Sequence, residues 1–277
     1  MLRMLRPGNA LMAAVGTLTG MVLAPGGPLP IHTWLAAPAA AFLLSAWGNI
    51  RNDLADVEVD RVAHPHRPLP AGRFKPAHAQ ALAAILLAAA LACAFVAAGW
   101  PTLLFAAVNA ALLAGYEWRL KAQGLPGNLT IALLVSSTFL FGALATRTSP
   151  LGWGHVALLS AMALMANMAR EVLKDTEDMA GDRGHRATYP LEAGAGQAIA
   201  LAAYQIVSAV LLSSLAFAFE PFGWWRPWLL VLLGADALFL LAAARSFRAP
   251  GPSQRLLKLA MGVALVAFLA GPLLGRI

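Results

Sequence analysis

Residues 49–72 read "NIRNDLADVEVDRVAHPHRPLPAG" and residues 171–194 read "EVLKDTEDMAGDRGHRATYPLEAG". Each stretch ends a long apolar run with a row of carboxylates. Aligned without gaps, the two share Asp53/Asp175, Asp56/Asp178, Asp60/Asp182, Arg61/Arg183, Pro68/Pro190, Leu69/Leu191, Ala71/Ala193 and Gly72/Gly194. Similarity at a fixed spacing, with charged positions among the identities, marks an internal repeat. At 100° per residue, Asn49, Asn52, Asp53, Asp56 and Asp60 fall within about 100° of one helix face. Glu171, Lys174, Asp175, Asp178 and Asp182 keep the same offsets. Like charges one turn apart repel, and two facing rows repel more unless a cation lies between them. Carboxylate oxygens suit Mg²⁺, which keeps some of its waters and takes substrate phosphates as ligands. Arg61, Arg67, Lys174, Arg183 and Arg186 surround the rows, so the pattern predicts carboxylates on metal, and metal plus cations on a polyphosphate.

The chain around these rows is 277 residues long, 60% hydrophobic and 12% charged, with a mean hydropathy of +0.69. Runs of roughly 18 or more uncharged residues are the signature of membrane helices. The pattern predicts an all-α membrane protein with nine transmembrane helices, at 8–25, 33–50, 77–98, 101–117, 127–146, 152–172, 192–217, 224–246 and 256–274. With no long polar insert, residues 1–277 read as one membrane domain. With the N-terminus inside and the C-terminus outside, 17 of the 20 Lys and Arg fall in inside segments, as positive-inside bias requires. That bias accounts for the net charge of +7 without a nucleic-acid partner. Arg3 and Arg6 precede an apolar run with no small-residue cleavage site, so no cleaved leader is expected. The single cysteine, Cys93, excludes a disulfide framework and a Cys-based metal site. Asp236 is an isolated intramembrane acid, and Trp224, Trp225 and Trp228 read as an interfacial belt.

The Asn-x-x-x-Asp-x-x-x-Asp pattern of Asn52, Asp56 and Asp60, followed by "RPLPAG", resembles the UbiA superfamily of intramembrane prenyltransferases. So does the Asp-x-x-x-Asp of Asp178 and Asp182. "MLRMLRPGNALMAAVGTLTG" is similar to that family's first helix, and "GYEWRLKAQGLPGN" to its loop between helices 4 and 5. The resemblance implies nine helices around a central cavity open to lipid, with the Asp motifs on spans 2 and 6. It implies a Mg²⁺-dependent enzyme that moves a prenyl group from an isoprenyl diphosphate to a lipid-soluble acceptor. Asp56, Asp60, Asp178 and Asp182 are then the catalytic metal ligands, with Asp53 and Asp175 supporting them. Asn52, Arg67, Lys121 and Lys174 bind the diphosphate. Asn9, Tyr116, Arg183 and Arg186 line the substrate pocket, the two arginines, with Arg6, being candidates for a phosphate on the acceptor.

Within the family, both motifs are most similar to members that make an ether bond to a glycerol phosphate lipid. O-prenylation of geranylgeranylglyceryl phosphate is therefore expected, in a prokaryotic inner membrane with the site toward the cytoplasm. An aromatic acceptor of the 4-hydroxybenzoate or quinone type is the alternative. A divalent-cation transporter is the remote one, because spans 3, 7 and 9 offer almost no polar residues to line a path.

Overall fold

The computed structural model describes residues 2–24, 27–184, 187–216 and 227–274. These residues fold into α1 (Leu2–Leu5), α2 (Pro7–Leu23), α3 (Ile31–Ala55), α4 (Val57–Ala63), α5 (Pro76–Ala98) and α6 (Trp100–Trp118). A 3₁₀ turn (Leu120–Ala122) follows, then α7 (Leu125–Thr146), α8 (Pro150–Asp182), α9 (Tyr189–Ala193), α10 (Ala195–Ala216), α11 (Pro227–Ser246) and α12 (Pro250–Leu274). Proline opens most of them, at the first-turn positions where its missing N–H costs no hydrogen bond. Ser149 also caps α8, accepting from Gly152 N. Between α5 and α6, Gly99 takes φ +84°, a backbone that side chains disfavour, and so reverses the chain without a loop.

A helix occupies each of the nine predicted segments, but the expectation of nine transmembrane helices is corrected. Six described helices are long and apolar enough to cross a membrane: α5, α7, α8, α10, α11 and α12. The other three fall short for visible reasons. α2 has only 17 residues. α3 carries Pro38 and ends in Asn49, Arg51, Asn52 and Asp53. α6 carries Pro101, Asn109, Tyr116 and Glu117. The N-in/C-out assignment loses the nine-span count on which it rested. Trp228 is buried in a core with Leu159, Leu229 and Phe268. Trp224 and Trp225 lie outside the described residues.

The spans are apolar outside and small inside. Ile85, Leu104, Leu211 and Leu230 are exposed, whereas α5 buries Ala79, Ala83, Ala90, Ala94 and Ala97. Lipid is as apolar as leucine, so helix association depends on close packing of small residues. α2 and α7 approach closely. A Cβ on Gly20 would stand 2.1 Å from the Phe139 carbonyl oxygen, and one on Gly142 2.1 Å from that of Thr17. Thr146 Oγ1 donates to the Ala24 carbonyl at 2.5 Å. The long helices pack in chain order as a ring, which α12 closes against α2, while the α2–α7 crossing spans it.

Candidate active site

One cavity of about 1080 Å³ lies within the ring. Its far end is apolar, and the apolar lining falls on both sides of the α2–α7 crossing. Leu44, Phe105 and Phe141 line it on the α3, α6 and α7 side; Met162, Leu232, Phe239 and Phe268 line it between α8, α11 and α12. The other end is charged and holds both carboxylate rows.

The first row spans a helix break. α3 stops at Ala55, and Asp56, with φ −92° and ψ 5°, stands between it and α4. The one-turn hydrogen bonds nevertheless continue, from Asp56 N to Asn52 O at 3.0 Å and from Asp60 N to Asp56 O at 2.8 Å. Asn49, Asn52, Asp56 and Asp60 therefore share the cavity face, as the 3.6-residue period predicts. Lys121 Nζ donates to both Asp56 oxygens, at 2.8 and 2.7 Å. Arg67 reaches Asp60 at 2.6 Å. The loop that carries Arg67 is anchored by Leu69, buried with Met4, Trp47 and Ile50. The second row lies on unbroken helix: Lys174, Asp178 and Asp182 line the cavity from α8.

Asp53 and Asp175 do not line the cavity. Asp53 is buried against Arg6, 2.5 Å away, with Arg67 at 4.0 Å. Burial pushes its carboxyl above the usual carboxylate range, against the downward pull of both arginines. Arg6 is held in the left-handed region at φ 44°, an uncommon backbone for a bulky side chain. Asp175 accepts from Asn128 Nδ2 at 2.8 Å. Asn9 and Tyr116 line the cavity. Arg183 is exposed and absent from its lining, and Arg186 lies outside the described residues. Arg61 pairs with Glu58 on the surface at 2.7 Å.

Several lining residues were not singled out from the sequence. Glu117 bridges the first row, accepting from Asn52 Nδ2 at 3.0 Å and from Lys121 at 3.2 Å. Its only local signal is the four-residue spacing to Lys121. Arg170 and Lys258 also line the cavity; the sequence marked them only as members of inside segments. Asp236, the isolated acid noted in the sequence, also lines the cavity and accepts from Ser213 Oγ at 2.6 Å.

The residues fit Mg²⁺ by donor chemistry. Each row offers two cavity-facing carboxylates one turn apart. Among the described residues, no group of three or more His, Cys, Asp or Glu is close enough to hold a metal by itself. A metal here would complete its coordination from water or a bound phosphate, which is the habit of Mg²⁺. Lys121 and Arg67 balance Asp56 and Asp60 and stand where they would also meet that phosphate.

A membrane bundle with one carboxylate- and cation-lined chamber over apolar pockets defines a class: an intramembrane site for an amphiphile with an anionic head. The chain belongs to the UbiA prenyltransferase family, whose profile matches residues 13–270. It is 38% identical to the digeranylgeranylglyceryl phosphate synthase of Methanopyrus kandleri, over 97% of each chain. A solved structure of a digeranylgeranylglyceryl phosphate synthase matches with a TM-score of 0.78 and 31% identity, covering 98% of this chain and 96% of that one. A UbiA homolog from Archaeoglobus fulgidus, solved with GPP and Mg²⁺, shares the fold with a TM-score of 0.72 over 98% of each chain, at 16% identity. Six apolar spans and the family together make this chain an integral membrane protein.

Proposed function

We propose that this protein transfers a prenyl group from an isoprenyl diphosphate to the hydroxyl of geranylgeranylglyceryl phosphate, making an ether bond, with Mg²⁺ as cofactor. The observation that carries this reading is one cavity in which both Asp rows stand above apolar pockets. The similarity to digeranylgeranylglyceryl phosphate synthases over nearly the whole chain supports the choice of acceptor.

Asp56 and Asp60 hold one metal and Asp178 and Asp182 the other. Bound Mg²⁺ supplies charge neutralisation for the leaving diphosphate. Lys121, Lys174 and Arg67 bind the diphosphate oxygens, and Asn52 orients them. Asp53, through Arg6, and Asp175, through Asn128, fix the helices that present the rows. When the allylic C–O bond breaks, its electron pair leaves on the diphosphate. The apolar wall keeps water from the carbon, and the acceptor hydroxyl attacks instead, its proton passing to the released diphosphate. Asn9 and Tyr116 line the intervening polar zone.

The loops at the Asp-row end carry most of the Lys and Arg. This supports a charged mouth facing the cytoplasm of a prokaryotic inner membrane. The domain reads as two repeated halves 122 residues apart. Matched contacts support this. Arg6 reaches Asp53 and Asn128 reaches Asp175, each over 47 residues. Gly20 meets Phe139 while Gly142 meets Thr17, and Thr146 bonds Ala24 over 122 residues.

The test is a transfer assay in nanodiscs, crossing geranylgeranyl diphosphate with geranylgeranylglyceryl phosphate and with 4-hydroxybenzoate, read by mass spectrometry. The expected product is the ether lipid, with activity lost in EDTA and in Asp60→Ala and Asp182→Ala, while both variants remain folded. A C-prenylated aromatic product without ether lipid overturns the acceptor. Full activity in EDTA, or in either variant, overturns the metal assignment.

A further inference from the structure

Two cations of the cavity, Arg170 and Lys258, have no part in the diphosphate site. They sit on antiparallel neighbours, α8 and α12, whose register is set at the Asp-row end. There a Cβ on Gly251 would stand 2.3 Å from the Glu177 carboxylate, and Arg255 bonds Glu177 at 3.1 Å. Seven residues further into the membrane along each helix, about 10 Å, Lys258 comes level with Arg170. Lys258 Nζ in turn donates to Asn9 Oδ1 on α2, at 3.4 Å. Three helices thus bring one amide and two cations to one depth. That depth is eight residues, about 12 Å along α8, below Asp178.

This layer is under-compensated. Arg170 Nη1 donates to Glu171, and Lys174 stands 3.9 Å from the same carboxylate. Among the described residues, Lys258 has only the neutral Asn9 as its hydrogen-bond partner. Arg170 Nε is buried with no hydrogen-bond acceptor among the described residues. A buried donor without a partner is costly, and two cations served by one carboxylate invite an anion. Directly beyond the layer lies the apolar pocket of Met162, Leu232, Phe239 and Phe268.

Taking the glycerol phosphate acceptor as proposed above, we infer that Asn9, Arg170 and Lys258 hold the acceptor's phosphomonoester, and that its chain fills the pocket between α8, α11 and α12. The diphosphate, bound at the Asp rows, stays one layer above. Arg183 and Arg186 are not needed for this role.

The experiment uses the full-length protein in nanodiscs with Mg²⁺ and geranylgeranyl diphosphate. The acceptor is either geranylgeranylglyceryl phosphate or its phosphate-free alcohol. Lys258→Met and Arg170→Gln should each raise KM for the phosphorylated acceptor about tenfold or more, the worth of a charge-assisted hydrogen bond. In Lys258→Met, KM for the diphosphate should not move, and this variant should match the wild type on the alcohol. Lys258→Arg should keep most of the affinity, and because Lys258 is exposed, its variants keep the fold. An equal rise in KM for both substrates, no rise for either, or a wild type that does not distinguish the two acceptors overturns the subsite. A wild type that prenylates 4-hydroxybenzoate and neither glycerol compound overturns the underlying function, and the subsite with it.

Discussion

Glu117 shows how a residue outside both Asp motifs sets their electrostatics. Its carboxylate shares Lys121 with Asp56 and holds Asn52. Neutralising it leaves Asp56 as the remaining anion bonded to Lys121, so that pair tightens and competes with Mg²⁺ for Asp56. Glu117→Gln should therefore raise the Mg²⁺ concentration for half-maximal activity several-fold, with KM for the acceptor unchanged and Glu117→Asp intermediate. A Mg²⁺ titration checks this, and an unaltered midpoint would remove Glu117 from the account. The Asp rows themselves were legible because their spacing is local. Glu117 was not, because Asn52, from which it accepts, and Asp56, with which it shares Lys121, lie 65 and 61 positions away along the chain.

At the scale of elements, the α2–α7 crossing holds the halves together with almost no side chain between the backbones. Gly20 and Gly142 admit no Cβ, since the atom in the way is a carbonyl oxygen in each case. Gly20→Ala and Gly142→Ala should each destabilise the protein by about 1–3 kcal/mol, the usual cost of overpacking. If the halves are true repeats, the two losses should be similar. Thermal unfolding in detergent measures both. A neutral Gly20→Ala would mean that the crossing loosens freely. The same small-residue logic explains the helix positions: apolar runs with proline at their starts were readable in order. Length or apolarity falls short at α2, α3 and α6, where a 17-residue run and the polar residues of α3 and α6 leave less than a full apolar span.

For the whole molecule, the asymmetry of Lys and Arg makes an orientation prediction. In a Cys93→Ser background, cysteines placed at the exposed positions Arg61 and Arg183 should react with an impermeant maleimide only from the cytoplasmic side. One at Trp100, exposed at the opposite end, should react only from the other side. Labelling of inside-out and right-side-out vesicles decides it, and the reverse pattern would invert the proposed topology.

From sequence alone came the membrane class, the order of the helices, the two carboxylate rows and the family resemblance. All of these depend on composition or on spacings of a few residues, which helical geometry converts directly into faces and lengths. The rest was decided by tertiary structure. Which carboxylates face the cavity and which turn away to Arg6 and Asn128, how Glu117 shares Lys121, and how Asn9, Arg170 and Lys258 reach one depth all depend on inter-helix register. That register shows where Gly20 meets Phe139, Gly142 meets Thr17 and Gly251 meets Glu177, at contacts between residues 74 to 125 positions apart. Helix periodicity fixes where a side chain points around its own axis. It says nothing about which neighbouring helix stands there, and that neighbour determines what each charge does.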